Sequence, residues 1–311
     1  MSKPSQRAPL RLLKASIAVA LAASAVFISG CGHHDEAPAA QQPLMVGVIP
    51  FEDAKAIKEG FTPLAEYLGK KTGRPSGQVF VTADYSGIIA ALQTDHIDCA
   101  YLNPLSYVLA VEQFRNLPEH LVPVAMPWYH HSPTYTGEIF VRADSGIKSL
   151  KDLKGKVFVF GDRTSTSGYL YPTKLLMDAG LDPDKDIKAV HISGTHPVDA
   201  VFMKQADAGA SFAGAVDLAY PDAARRSQIR VIAHTDQIPN GMFVVRGNVD
   251  PKTADAIKAA LLGMDKDPEG QAALKAAKDD KFTAADDHAF DTVRKQAKIL
   301  RLDLKALDAP K

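Results

Sequence analysis

Lys156-Val157-Phe158-Val159-Phe160-Gly161-Asp162-Arg163-Thr164-Ser165-Thr166-Ser167-Gly168 is the stretch from which the fold of this chain is best read. The β-branched and aromatic run KVFVF predicts a strand, a polar loop follows, and the apolar-periodic segment 168–179, stopped by Gly180, predicts a helix. A strand feeding a helix through a short loop is half of a β-α-β unit, and such units build sheets covered by helices. The loop also carries chemistry. A helix start has unpaired N–H groups and the positive end of the helix dipole. Ser and Thr are ordinary capping residues there. Four consecutive hydroxyls, Thr164 to Ser167, with Gly168 behind them, exceed what a cap requires. They make a candidate anion site of uncharged donors.

The same rhythm extends both ways. Upstream, strands at 44–49, 78–82 and 97–102 alternate with helices at 57–71, 85–93 and 105–112. Downstream, strands are expected at 138–142, 187–192, 208–212, 229–233 and 242–245, with a short turn at 149–153 and a helix at 198–205. Beyond Pro251 the chain reads as mainly helical to Leu304. The class is α/β. Two more strand-to-helix junctions repeat the donor geometry, one bearing Tyr85 and one bearing Asn103 before Pro104. Both fall at the carboxyl ends of strands, where open α/β sheets bind ligands. Tyr85 and Tyr135 can donate an O–H or serve as partly buried packing. His130, His131 and His196 carry no pattern of their own, and His196 beside Pro197 reads as a helix-start residue.

With 46% apolar and 23% charged residues the chain of 311 is globular and long enough for two domains. The N-terminus reads as an export signal: Lys3, Arg7, Arg11 and Lys14 precede an apolar run at 15–28 that is short for a membrane span. Ile28-Ser29-Gly30-Cys31 resembles a bacterial lipobox, so the expectation is a lipoprotein signal peptide at 1–30, acylation of Cys31 and anchoring to the bilayer. The polar, aperiodic segment 31–43 is then a flexible tether. Its His33, His34 and Asp35 are ordinary linker residues, and no metal or cofactor is expected. The 36 basic and 36 acidic residues balance, but removing the four signal-peptide cations leaves 32 against 36. That excludes a basic footprint for nucleic acid. With Cys31 acylated, Cys99 in an apolar strand is a lone buried thiol. No HExxH, CxxC, G-x-S-x-G or P-loop pattern occurs, so nothing in the chain argues for an enzyme.

Several stretches, in order, resemble the periplasmic phosphonate- and phosphite-binding proteins of ABC transporters. They are VGVIPFEDA, ADYSGIIAAL, IDCAYLNPLSYVLA, SPTYTGEIFV, SLKDLKGKVFVFGDRTSTSGYLYP and KQADAGAS, covering about residues 44 to 250. The resemblance implies a type 2 periplasmic-binding fold: two lobes, each a mixed, mostly parallel sheet flanked by helices, joined by a two-crossover hinge. Lobe 1 would be 44–133 with 239–311, and lobe 2 would be 134–238. It implies that Tyr85, Tyr135, Ser165, Thr166, Ser167 and His196 hold the phosphorus-bearing group, with Asn103 closing on it. The segment after His196 departs from the family pattern by about two residues. Gly214 and Gly241 stand where relatives that bind aminoalkylphosphonates carry acids. A buried ammonium without a carboxylate is strongly disfavoured. The implied ligand is therefore phosphite, phosphate or an alkylphosphonate without an amine. The implied partner is an ABC permease, the protein itself acting as a monomer. Rival readings are another oxyanion or a sulfonate on the same fold, a periplasmic phosphoesterase, and a sensor accessory lipoprotein.

Overall fold

The computed structural model describes residues 41–300. The expected signal peptide, Cys31 and the expected tether as far as residue 40 lie outside the described residues, as do positions 301–311.

In chain order the first elements are β1 (Leu44–Val48), α1 (Ala54–Lys71), β2 (Gly77–Phe80), α2 (Tyr85–Gln93), β3 (Cys99–Leu102), α3 (Pro104–Phe114) and β4 (Leu121–Trp128). A short crossover strand, β5 (Thr134–Tyr135), leads to β6 (Gly137–Arg142) and β7 (Val157–Phe160). A π-helical turn, Thr166–Leu170, runs into α4 (Tyr171–Asp178). There follow β8 (Lys188–His191), α5 (His196–Phe202), β9 (Ala208–Phe212), α6 (Ala215–Ala219), α7 (Ala223–Arg226) and β10 (Ile229–His234). The chain returns through β11 (Ile238–Pro239) to β12 (Met242–Arg246), α8 (Pro251–Gly263), α9 (Pro268–Ala277), β13 (Lys281–Ala284) and α10 (Asp291–Ile299).

Two sheets result. The first has the order β13-β4-β12-β3-β1-β2 and the second β10-β6-β9-β7-β8, while β5 and β11 pair with each other between them. This is the two-lobed α/β arrangement with two crossovers that the resemblance implies. Each sheet is mixed. The β-α-β units give parallel pairs β1–β2, β1–β3, β7–β8 and β7–β9. The remaining pairs are antiparallel: β12, returning from the crossover, runs against β3 and β4, β13 runs against β4, and β6, entering the second lobe, runs against β9 and β10.

Packing follows the alternation of side chains along the strands. Leu44, Val46 and Val48 of β1 face one core with Ile57, Leu64 and Leu68 of α1 and Leu261 and Leu274 of the C-terminal helices. Ala100 and Leu102 of β3 face the opposite core with Ile88, Ile89, Leu105 and Val108. Helix α10 is tied to this side: the Tyr107 hydroxyl donates to Asp287 at 2.6 Å, and the Tyr107 ring lies 4.7 Å from that of Phe290. The C-terminal segment thus completes the first lobe. Cys99 is buried and free, and burial pushes its thiol up, so it is an inert core residue.

Besides the two-residue crossover strands β5 and β11, two strands have no counterpart in the periodicity. In β4, Pro123 and Pro127 interrupt the apolar alternation. The strand is nonetheless internal, and its register with β12 shifts beside Pro123, where a ladder N–H is missing. Strand β13, KFTA, is too short to show a period and emerges from a stretch that reads as helical.

Candidate functional site

Strands β1, β3 and β7 end at one cleft between the sheets. The loops that follow them line a cavity of about 140 Å³. From the first lobe come Tyr85 at the start of α2 and Asn103 at the cap of α3, and from the crossover comes Tyr135. From the second lobe come Ser165 and Ser167. Five of the seven residues expected to hold the ligand therefore meet in one place.

The hydroxyl loop is shaped by close backbone approach. Gly161 N–H donates to the Gly168 carbonyl at 2.8 Å. A Cβ on Gly168 would lie 2.9 Å from Ser165 Oγ and 3.0 Å from Gly161 Cα, so the loop closes only with glycine there. Ser165 caps the turn by accepting from Gly168 N–H at 3.0 Å. The neighbouring hydroxyls do other work. Thr164 donates to Asp162 Oδ1 at 2.8 Å. Asp162 also accepts from Ser193 at 3.1 Å and, across the cleft, from Tyr85 N–H at 3.4 Å.

Tyr85 and Tyr135 remain neutral donors at physiological pH. Burial raises the Tyr85 phenol far above its ordinary value, the Asp162 and Tyr135 charges add to that, and the Ser165 hydroxyl opposes it. Burial likewise pushes Tyr135 up to about 12 against the hydroxyls of Ser167 and Thr166. The phenols thus face the serines directly, as the anion reading requires.

Thr166 and His196 stand elsewhere. Thr166 is fully buried and absent from the cavity wall. Its hydroxyl donates to Asn103 Oδ1 at 2.7 Å and accepts from Leu105 N–H at 2.8 Å, which joins the two lobes. His196 is the first residue of α5, two positions before the expected helix start, and its side chain is 58% exposed, 3.6 Å from Asp199. Gly194, not His196, reaches the cavity.

Sequence reasoning missed the far wall: Phe51, Phe61, Tyr101, Phe212 and Asp279, with Glu52 held by Lys278 at 3.1 Å. Phe51 and Phe61 pack edge to face at 6.0 Å, and Phe61 and Tyr101 at 5.3 Å. Gly241, one of the two glycines that the resemblance singles out, lies in the wall, but a Cβ there would sit 2.1 Å from the Leu102 carbonyl oxygen. An acid at 241 is therefore excluded by this backbone. Among the described residues no group of three or more potential ligands is placed to hold a metal. His131 instead pairs with Asp280 at 3.3 Å.

The sequence model of the periplasmic substrate-binding protein of phosphonate ABC transporters matches residues 46–290. The phosphate-import protein PhnD of Mycolicibacterium smegmatis is 30% identical over 265 residues, 81% of each chain. The phosphonates-binding periplasmic protein of Escherichia coli is 28% identical over 242 residues, covering 76% of this chain and 70% of that one. A solved binding protein of a phosphonate ABC transporter from Pseudomonas aeruginosa superposes with a TM-score of 0.75 at 25% identity, covering 86% of this chain and 90% of that one. Prochlorococcus marinus PhnD1, solved with methylphosphonate, shares the fold with a TM-score of 0.74 at 21% identity, covering 83% and 98%. The hydroxyl-lined cleft between two α/β lobes and these likenesses have one explanation: this chain belongs to the periplasmic substrate-binding proteins of phosphonate ABC transporters.

Proposed function

We propose that the protein captures one phosphorus oxyanion (phosphite, phosphate or an amine-free alkylphosphonate) in the periplasm and presents it to its ABC permease. The observation that carries this reading is the meeting of Ser165 and Ser167 with Tyr85 and Tyr135 in one small cavity. Neutral hydroxyls suit a dehydrated anion, because hydrogen bonds to a charged group contribute about 1.5–3 kcal/mol each. Residues 44–133 with 239–311 close on residues 134–238 about the β5–β11 crossover, and the closed form is what the permease reads. Gly241 brings no carboxylate to the cavity, Glu52 and Asp162 of the wall are engaged by Lys278 and by Thr164, Ser193 and Tyr85 N–H, and burial raises Asp279 toward its neutral form, which together favour a ligand without an amine. Acylated Cys31 holds the protein, as a monomer, at the membrane through the polar tether.

Isothermal calorimetry against phosphite, phosphate, methylphosphonate, 2-aminoethylphosphonate and sulfate tests the reading. Tight binding of at least one of the first three, and weaker binding of the aminophosphonate and sulfate, is expected. Preference for sulfate would refute it. Ser167→Ala removes one charge-assisted bond and lowers affinity roughly 10- to 150-fold. Radiolabelling with palmitate, lost in Cys31→Ala, tests the anchor.

A further inference from the structure

Asp279 belongs to the cavity wall but to no part of the cradle just described. It follows Lys278, which ends α9 in the left-handed conformation, and precedes β13. The residue is 7% exposed. Its Oδ1 accepts from the Tyr101 hydroxyl at 3.3 Å, and its Oδ2 is buried with no hydrogen-bond partner. Tyr101 lines the same cavity, and its phenol senses both Asp279 and Tyr135. A buried carboxyl oxygen without a partner costs stability, and Asp279 lines the cavity, so a ligand atom brought against this oxygen as the lobes close would relieve that cost.

We propose that Asp279 is a ligand-contacting specificity residue, placing one proton between its free Oδ2 and an oxygen of the bound oxyanion. The proposal rests on the phosphorus-oxyanion reading and adds a donor of different character. The proton comes from solvent onto Asp279 or arrives on the ligand as P–OH. In both cases the complex holds one proton more than a carboxylate facing a fully ionised ligand, and no bond to phosphorus changes.

The surroundings support this state. Burial raises the Asp279 carboxyl well above the usual carboxylate range, the Asp280 charge raises it further, and only the Tyr101 hydroxyl opposes them. The nearby basic side chains are engaged elsewhere. Lys278 pairs with Glu52, His131 with Asp280, and Lys281 lies 4.1 Å above the Trp128 ring. Tyr129, on the hairpin beside it, is itself raised by burial and by the charges of Glu52, Asp279, Asp217 and Asp280. Asp162, the remaining carboxylate of the wall, already accepts from Thr164, Ser193 and Tyr85.

Methylphosphonate affinity of the wild type, Asp279→Asn, Asp279→Leu and Ser167→Ala is measured by calorimetry from pH 6 to 9, with thermal melts to establish folding. Asn keeps a donor but cannot titrate, so the ratio of Asn-variant to wild-type affinity cancels the ligand's own titration. That ratio should lie within about threefold of unity at pH 6 and rise at least about tenfold by pH 9. Asp279→Leu should lose about tenfold or more at pH 6. A ratio constant with pH, or a Leu variant that binds like the wild type, overturns the proposal while the response of Ser167→Ala leaves the cradle standing. Loss in Asn and Leu alike at every pH also overturns it, because the carboxylate would then be an acceptor for a ligand donor. A wild type that binds no phosphorus oxyanion sinks the underlying reading, and this one with it.

Discussion

Thr166→Val separates closing the lobes from contacting the ligand. Valine keeps the shape of threonine and removes its hydroxyl. In the fold this deletes the 2.7 Å bond to Asn103 Oδ1 and the 2.8 Å bond from Leu105 N–H. It also removes a contact to the Tyr135 phenol. No backbone donor is orphaned, because Asn103 Oδ1 still accepts from Leu105 N–H at 2.9 Å and from Ser106 N–H at 3.1 Å. The loss is therefore that of two neutral hydrogen bonds without an added burial penalty, about 1–3 kcal/mol, or roughly 5- to 150-fold in the closure equilibrium. Where the unliganded protein is mostly open, apparent affinity falls by that whole factor, since only the closed fraction holds ligand. Calorimetry gives the affinity, and small-angle scattering with and without ligand gives the closed fraction. Thr166→Ser, which restores the hydroxyl, should recover most of both. A valine variant with wild-type affinity and wild-type closure would refute the assignment of Thr166 to the lobe junction. A variant that closes normally at saturating ligand, yet whose affinity Ser does not recover, would point to a packing defect instead.

Further outcomes follow from the same geometry. Tyr85→Phe keeps the buried ring and removes the phenol facing Ser165, so affinity should fall roughly tenfold or more in calorimetry with little change in melting temperature. Asp279→Asn should stabilise the unliganded protein at neutral pH. The folded carboxyl lies above its ordinary value of 3.8, so the folded state binds more protons than the unfolded one and wild-type stability declines as pH rises from about 4 toward the folded value, by about 1.4 kcal/mol per pH unit. The gain in melting temperature should therefore vanish near pH 4 and grow upward; a gain independent of pH would contradict that protonation state. Gly241→Asp should not create an amine site. Its Cβ would meet the Leu102 carbonyl at 2.1 Å, so the melting temperature should drop sharply and affinity for 2-aminoethylphosphonate should not rise.

The parts of the fold legible in the sequence are those whose signals are local. Tyr85–Gln93 begins and ends where its apolar spacing places it, and the strand–loop–helix at 157–178 differs only in opening with a π-helical turn. The cradle was legible for the same reason: strand-to-helix junctions in an α/β sheet come to one side by topology, so Tyr85, Asn103, Ser165 and Ser167 had to approach one cleft. Asp279 left no such trace. It meets Tyr101 across 178 positions, through the docking of β13 on β4, and neither strand has a readable period. Thr166 and His196 show a different limit. Their residue types fit an anion site, but side-chain direction follows the turn geometry, and that geometry aims Thr166 at the lobe junction and leaves His196 at a half-exposed helix start.

The hydroxyl run itself explains why closure and capture are coupled. Along Thr164-Ser165-Thr166-Ser167 the roles alternate. Thr164 binds Asp162, which reaches across to Tyr85 N–H; Ser165 lines the cavity; Thr166 binds Asn103 and Leu105; Ser167 lines the cavity again. The threonines are thus joined to the first lobe through the same junctions, α2 and α3, that bring Tyr85 and Asn103 to the cavity. Opening the lobes breaks the threonine bonds and withdraws the facing phenol from the serines in one movement. A ligand held between serine and tyrosine therefore favours the closed form through its own contacts, and the threonine bonds set how much of that energy remains as affinity. Four consecutive hydroxyls are more than a helix cap needs because two of them tie the lobes together while the other two line the cavity.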